Sequence, residues 1–153
     1  MELIWATLAF AILSSVIPIF NIEVYLAALA TQVSPDDALP LALMAGLGQA
    51  IGKVAWYWTV VRSMQIPALQ RRLSTEKRQA QLALWQRRIN GRPWVAGGVT
   101  FISGLVGVPP LLVMGVAAGV VRMNIWIFFF AIVAGRGLQS WLILAGLASL
   151  FHR

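Results

Sequence analysis

Four long apolar stretches, separated by short polar segments, make up most of this chain. They cover about residues 3–33, 39–61, 94–121 and 123–151. At ~1.5 Å of rise per residue, the second and fourth are long enough as helices to cross a hydrocarbon layer of ~30 Å. The pattern therefore predicts an all-α polytopic membrane protein with a single membrane domain over residues 1–153.

The first and third stretches contain residues that break helices. Pro18 interrupts the first, and Gly104, Gly107, Pro109 and Pro110 interrupt the third. Proline removes a backbone donor, and backbone groups freed inside lipid must be buried or line a cavity. We therefore expect each stretch to form a broken helical hairpin, re-entrant if it returns to the side it entered, with the two breaks meeting at the centre of the protein. The alternative is that each stretch crosses the membrane completely.

The positive charge lies between the two apolar halves. The chain has 12 Lys and Arg against 5 Asp and Glu, a net charge of +7. Residues 62–92 hold eight of these basic residues and one acid, so the remainder is neutral. Because basic loops stay on the cytoplasmic side, residues 62–92 are predicted to be cytoplasmic and the protein to lie in the inner membrane. Nucleic-acid binding is not expected, because the flanks are lipid-like.

Residues 63–92 are predicted to form one basic amphipathic helix on the inner membrane surface, attracted to anionic lipid. Ser74 is a candidate N-cap, and Asn90-Gly91 followed by Pro93 is a candidate stop. A solvated linker helix is the alternative.

The first half, residues 3–62, and the second half, residues 93–151, share a weak internal repeat. The matching segments are Leu26-Ala27-Ala28-Leu29 with Val116-Ala117-Ala118-Gly119, offset by 90 residues, and Gly52-Lys53 with Gly135-Arg136, offset by 83. Interrupted helices and charges at the membrane midplane in two related halves are typical of inverted-repeat transporters. With re-entrant hairpins, the end of the third stretch at Arg122 is cytoplasmic; with spanning hairpins it is outside.

Three ionisable residues fall at predicted membrane depth, namely Glu23, Lys53 and Arg136. A charge at the bilayer centre costs about 2.5–3.5 kcal/mol on insertion scales, so each needs a partner or water. If Glu23 pairs with one base, the other has no protein anion, unless burial removes the proton of Lys53. A bound anion such as a phosphate would complete the set. The structural alternative is one ion pair and one base that snorkels to the interface.

The surroundings of the breaks supply further candidate ligands. Asn21 is expected to cap the half-helix that follows Pro18, and the N-terminus of such a half-helix attracts anions. Gln49 and Gln139 are expected either to line the cavity or to hydrogen-bond neighbouring helices. Arg122 either meets a phosphate head group or anchors the chain at the membrane boundary.

Hydrolytic and metal chemistry find no support in the sequence. The chain has no cysteine and a single histidine, His152. We therefore expect no enzyme activity, no cofactor and no metal site. Gly46, Gly48 and Gly52 superficially resemble a phosphate-binding loop, but they lie inside an apolar span and are better explained as small-residue helix packing.

A series of motifs covers the chain from about Leu8 to Ala145. In order they are Pro18 with Asn21-Ile22-Glu23, Gly48-x-x-x-Gly52, Phe101-x-Ser103-Gly104-x-x-Gly107-x-Pro109, Ala118-Gly119-x-x-Arg122-Met123, and Phe128 with Gly135-Arg136-Gly137. This order resembles the DedA superfamily, also called SNARE-associated or VTT-domain proteins, and especially its short, YqaA-like bacterial members.

The resemblance implies two re-entrant hairpins that face each other and move lipid head groups across the bilayer. Undecaprenyl phosphate or phospholipid would be the cargo, with proton coupling in bacteria. Glu23 would correspond to the acidic residue of the first hairpin and Arg136 to the Gly-Arg of the last span. The chain departs from the family in two ways. The second hairpin, residues 101–119, carries no charge, and Lys53 stands where a neutral or acidic residue is more usual.

The leading hypothesis is a flippase or scramblase for an anionic lipid. Glu23 would act as a protonatable gate, with Arg136 and Lys53 holding the phosphate. The alternatives are a small secondary transporter of ions or drugs, and a membrane assembly protein whose basic segment recruits a partner. Burying several charges in so small a protomer is difficult, so a homodimer is a candidate assembly.

Overall fold

The structure is a computed structural model that describes residues 1–17, 19–107 and 111–151. Side chains are described for all of these residues except 69, 72, 73 and 111–113. Within these ranges every regular element is helical, which confirms the predicted all-α class. The α-helices are α1 (Glu2–Val16), α2 (Ile22–Ala30), α3 (Ala38–Ser63), α4 (Pro67–Leu73), α5 (Glu76–Gly91), α6 (Pro93–Val106), α7 (Leu111–Val120) and α8 (Ile125–Phe151), and a 3₁₀ turn at Pro35–Asp37 precedes α3.

Two helical segments, Pro35–Ser63 and Ile125–Phe151, are long and apolar enough to cross a membrane. They correspond to the second and fourth apolar stretches of the sequence, with bounds within a few residues of those predicted. Pro40 lies in the first turn of α3, where proline is tolerated, and Gly46, Gly52 and Gly135 lie at close contacts with neighbouring helices, so none of them ends a helix. By length and composition, the part of the chain that the structure describes therefore has two candidate membrane spans.

Helices α3 and α8 pack against each other in antiparallel orientation. A Cβ built at Gly46 would lie 2.8 Å from the amide nitrogen of Gly137 and 2.8 Å from the carbonyl oxygen of Val133. Further along, Tyr57 of α3 meets Phe128 near the start of α8, with ring centroids 5.9 Å apart. Only glycine allows so close an approach, so Gly46 serves helix packing and not a phosphate loop.

The first helix of each half lies along the long helix of the same half, in parallel orientation. Helix α1 packs on α3, where a Cβ at Gly52 would lie 2.5 Å from the Cβ of Ser15. Helix α6 packs on α8, where a Cβ at Gly135 would lie 2.5 Å from the carbonyl oxygen of Phe101. Small residues at these crossings let the two backbones come together.

The second helix of each hairpin packs on the long helix of the other half. Helix α7 lies along α3 and parallel to it, because Gly115 is next to Lys53 and Gly119 is next to Tyr57 and Val60. Helix α2 packs on α8 in the corresponding way. Each hairpin therefore begins and ends at the same end of the α3–α8 pair.

The two hairpin breaks are described in part. Helix α1 ends at Val16 and α2 begins at Ile22, while α6 ends before Gly107, whose φ of 81° is left-handed and suits glycine. Gly104, predicted as a break residue, is instead inside α6, where it faces the backbone of Gly135. Pro18, Pro109 and Pro110, and with them the expected meeting of the two breaks, lie outside the described residues.

The basic segment between the halves forms two helices, α4 and α5, instead of the single helix predicted over residues 63–92. The candidate start at Ser74 and stop at Asn90-Gly91 match the ends of α5 to within one residue. Ser74 closes α4 instead of opening a helix, since its Oγ donates to the carbonyl oxygen of Arg71 at 2.6 Å. Thr75 is the N-cap of α5. A serine hydroxyl that bonds its own chain three residues back satisfies a terminal carbonyl and favours the end of a helix. Pro93 then opens α6 at its first turn.

Candidate functional site

Glu23 lies in the first turn of α2, directly after the break in the first hairpin. Asn21 is the N-cap of α2, and its Oδ1 accepts a hydrogen bond from the backbone N–H of Glu23 at 2.8 Å. This cap satisfies one of the free backbone donors of the helix N-terminus and holds the carboxylate at its positive end. Both residues are therefore where the sequence placed them, at the start of a half-helix.

Arg136 and Gln139 reach Glu23 from α8, three residues apart and on one face of that helix. Arg136 Nη1 and Gln139 Nε2 each lie 3.3 Å from Glu23 Oε1, and Arg136 Nη1 also donates to Gln139 Oε1. We call this group of three side chains the Glu23 cluster. It joins residues separated by 113 positions or more in the sequence and connects the second helix of the first hairpin with the last long helix.

In the Glu23 cluster the carboxylate is partly exposed, whereas the arginine is largely buried. The side chain of Glu23 is 46% exposed and that of Arg136 is 13% exposed. Arg136 Nε is buried and has no hydrogen-bond partner within the described part of the chain. Because a guanidinium carries five N–H donors in a planar fork, the cluster retains donors for a further acceptor.

Lys53 lies outside this cluster. Its side chain is buried, 6% exposed, and Nζ donates to the backbone carbonyl of Ser15 at 2.9 Å. That carbonyl belongs to the last turn of α1, where free carbonyls and the helix dipole favour a cation. Among the described side chains Lys53 pairs with no carboxylate, although it is near enough to Arg136 for the two charges to repel. Of the two cations that the sequence offered as partners of Glu23, the one that pairs with it is therefore Arg136.

A buried polar network surrounds Lys53, and the sequence analysis identified only part of it. Gln49 Nε2 donates to the hydroxyl of Ser14 at 2.8 Å and to the carbonyl of Ala11 at 3.2 Å. Ser15 Oγ donates to the backbone carbonyl of Gln49 at 2.9 Å. Gln49 therefore hydrogen-bonds a neighbouring helix, which is one of its two predicted roles. The sequence did contain a signal for the two serines of this network, since Ser14-Ser15 is a polar pair at the end of an otherwise apolar helix.

Arg122 is exposed just after α7, with a left-handed φ of 51°. Its backbone N–H donates to the carbonyl of Gly119 at 3.2 Å. The adjacent Met123 accepts a hydrogen bond from the hydroxyl of Tyr57 at 2.8 Å, which fixes this turn to the last part of α3. Arg122 thus lies at the end of the bundle where α3 leads into the basic segment, and the described contacts do not connect it with the Glu23 cluster.

No protein-family model, curated protein or solved structure matches this chain. The similarity of its motifs to the DedA superfamily therefore stays a prediction from the sequence.

Proposed function

We propose that this chain is a polytopic inner-membrane protein that moves an anionic lipid between leaflets, and that the phosphate of the lipid passes at the Glu23 cluster. The observation that supports this most is the guanidinium of Arg136. It is largely buried and shares one half-exposed carboxylate with Gln139, and its buried Nε has no hydrogen-bond partner among the residues that the structure describes. A phosphate oxygen is the acceptor that such a fork binds best.

The balance of charge supports an anionic cargo. Lys53 and Arg136 are two buried or nearly buried cations, and Glu23 is the only acid paired with either of them among the described residues. A charge in a low-dielectric interior needs compensation, and an ionised phosphate would provide it. In this proposal Arg136 contacts the phosphate and Lys53, held at the end of α1, adds to the positive potential.

Glu23 is the group suited to act as a gate. While ionised it holds Arg136; a proton on its carboxylate would weaken that ion pair and release the guanidinium to the lipid phosphate. Its exposure gives a proton access to it. Proton coupling is therefore part of the proposal, with Glu23 as the site of protonation.

The residues beside the Glu23 cluster favour a site that is open to lipid. Ile19, Phe20 and Val24 are large apolar residues, and all three are exposed next to Glu23. Exposed apolar residues beside a polar cluster allow acyl chains to stay in the bilayer while only the head group meets charged side chains. A transporter that encloses its whole substrate has no need of such a surface.

The packing of the helices supports an inverted repeat in the membrane. A two-fold axis across the antiparallel pair α3 and α8 would exchange α1 with α6 and α2 with α7, and their contacts follow that pattern. Helix α2 has 9 residues and α7 has 10, about half of what a ~30 Å hydrocarbon layer requires. We therefore propose that both hairpins are re-entrant, which puts Arg122 on the same side as the basic segment.

The test is lipid movement in vesicles that contain the purified protein. Fluorescent phosphatidylglycerol and a polyprenyl phosphate are each followed by their accessibility to a reagent outside the vesicle. Wild-type protein should exceed empty vesicles, and Glu23→Gln and Arg136→Gln should each reduce the rate at least ~10-fold, equivalent to ~1.4 kcal/mol. Arg62→Gln is the control, because Arg62 is an exposed base in the last turn of α3.

Two results would contradict the proposal. One is a wild-type rate no greater than that of empty vesicles for both lipids. The other is a proton or cation flux that depends on Glu23 while neither lipid moves, which would favour a small secondary transporter instead.

A further inference from the structure

An apolar groove runs between the surface helix α5 and the second hairpin. Its volume is about 970 Å³, near the upper end of the ~300–1,000 Å³ typical of ligand sites. The apolar residues that line it include Trp85 and Ile89 from α5, Val95 and Val99 from α6, and Ala117 and Val121 from α7. The groove is separate from the Glu23 cluster and shares no residue with it.

One side of this groove is strongly basic. Arg87, Arg88 and Arg92 line it, and no acidic residue does. None of the three has an ion-pair partner in the described ranges of the chain. The guanidinium of Arg88 lies 5.9 Å from the ring centre of Trp85, so that its charge is held at the edge of the apolar wall.

The helix that forms the basic side is only loosely attached to the rest of the protein. No residue of α5 is buried, and Trp85 on its groove side is 53% exposed. An amphipathic helix with an apolar face needs a partner for that face, and here the second hairpin covers it incompletely. The groove is the space that remains between them.

We propose that this groove binds one molecule of an anionic lipid. An acyl chain lies along the apolar wall, and the phosphate is held by Arg87, Arg88 and Arg92. The combination of an apolar wall and an unpaired basic edge matches the two parts of such a lipid. A free phosphate would leave the wall uncovered. A peptide would bring backbone donors and acceptors that the groove walls, formed chiefly by aliphatic and aromatic side chains, leave unsatisfied.

Binding in the groove is measured on the full-length protein in detergent by native mass spectrometry, and it does not require lipid movement. The protein is titrated with phosphatidylglycerol, with phosphatidylcholine of the same acyl chains, and with glycerol phosphate. One phosphatidylglycerol should bind at least ~10-fold more tightly than phosphatidylcholine, since basic residues favour anionic lipid. Equal binding of the two lipids, or equally tight binding of glycerol phosphate, would overturn the proposal.

Two sets of substitutions with the same change in charge test the basic edge. The groove set is Arg87→Gln, Arg88→Gln and Arg92→Gln, and the control set is Arg62→Gln, Arg71→Gln and Lys77→Gln, which do not line the groove. The groove set should reduce phosphatidylglycerol affinity to that of phosphatidylcholine, and the control set should change it less than ~3-fold. A similar loss in both sets would show that the surface charge as a whole attracts the lipid, contrary to the proposal.

A pair of neighbouring substitutions tests the apolar wall. Ala117 is exposed and lines the groove, so Ala117→Trp fills the space for the acyl chain without entering the core. Val116 is exposed as well but does not line the groove, so Val116→Trp is the control. Ala117→Trp should abolish the tight binding step while Val116→Trp retains it. If both variants bind like the wild type, the lipid is not in the groove.

Discussion

At the scale of single residues, two charged groups of this protein, the ammonium of Lys53 and the carboxylate of Glu23, lie at the facing ends of α1 and α2. Lys53 donates to the last turn of α1, and Glu23 occupies the first turn of α2 beside its cap, Asn21. Each charge therefore has the sign that the adjacent helix terminus favours, worth about 0.3–1 kcal/mol at exposed sites and more where it is buried. The break between α1 and α2 is stabilised by a cation on one side and an anion on the other.

The two capping asparagines allow stability to be separated from function. Asn21 caps α2 through the N–H of Glu23, and Asn124 caps α8 through the N–H of Trp126 at 2.9 Å. We expect Asn21→Ala and Asn124→Ala each to cost ~1 kcal/mol and to lower the Tm in detergent by roughly 2–4 °C. Only Asn21→Ala should also slow lipid movement, because it alone displaces the carboxylate of Glu23.

Asn21→Ser keeps a capping oxygen and should restore both the Tm and the lipid-movement rate. The measurements are thermal unfolding by circular dichroism and the vesicle assay. If Asn21→Ala and Asn124→Ala lower the rate of lipid movement equally, the position of Glu23 does not control movement and the proposed gate is wrong.

The sequence identified Glu23, Lys53 and Arg136 as candidate site residues but did not show how they pair. An ion pair between Glu23 and Arg136 requires the register of α2 on α8, which depends on contacts 113 residues apart in the chain. Capping by Asn21 was predictable because it is local, spanning two residues. The hydrogen bond from Lys53 to a backbone carbonyl was not predictable. Any carbonyl at a helix end can accept such a bond, and the sequence does not show which of them lies near the Lys53 ammonium.

At the scale of helices, glycine contacts determine how closely the long helices approach their neighbours. Along α8, Gly135 and Gly137 are two residues apart and face different surroundings. A Cβ at Gly135 would lie 2.5 Å from the backbone oxygen of Phe101 on α6, whereas a Cβ at Gly137 would meet only the backbone oxygen of Ala42, at 3.9 Å. The two positions therefore differ in how they tolerate a methyl group.

We expect Gly135→Ala to destabilise the protein by about 1–3 kcal/mol, because backbone atoms cannot move aside as a flexible side chain can. Gly137→Ala should be neutral or stabilising by up to ~1 kcal/mol, since alanine is the better helix former. Thermal unfolding of both variants in the same detergent measures the difference. Equal stability of the two would mean that α6 and α8 do not cross closely at Gly135.

The helices differed in how predictable they were, for a physical reason. The long helices α3 and α8 were predicted to within a few residues because a long apolar run has few alternatives. In the basic segment the candidate N-cap Ser74 lies one residue from the N-cap of α5, but the separate helix α4 before it was missed, because its charged residues are compatible with a continuous helix and the hydroxyl that ends α4 acts only through local geometry. Gly104 was wrongly assigned to a helix break, because a glycine in the sequence is compatible both with close helix packing and with a reversal of the chain.

At the scale of the whole molecule, the two halves exchange their second helices. Helix α2 of the first half packs on α8, and α7 of the second half packs on α3. The sequence repeat indicated two related halves, but no local pattern shows which half a helix packs against, since both long helices offer apolar and small residues for packing. This exchange brings Glu23 to Arg136 and makes the Glu23 cluster depend on both halves being folded together.

The same exchange leads to a prediction about topology, which single cysteines can test because the chain has none of its own. Gly119 packs against Tyr57 and Val60 near the end of α3, so the turn at Arg122 lies at the same end of the bundle as the basic segment. In vesicles of one orientation, Arg122→Cys and Arg87→Cys should react with an impermeant maleimide from the same side, and Asp36→Cys from the other. Spanning hairpins would instead place Arg122 and Asp36 on one side, since α6 and α7 would together form one crossing. Labelling of Arg122→Cys together with Asp36→Cys would therefore disprove the re-entrant arrangement, while leaving the Glu23 cluster to be judged by lipid movement alone.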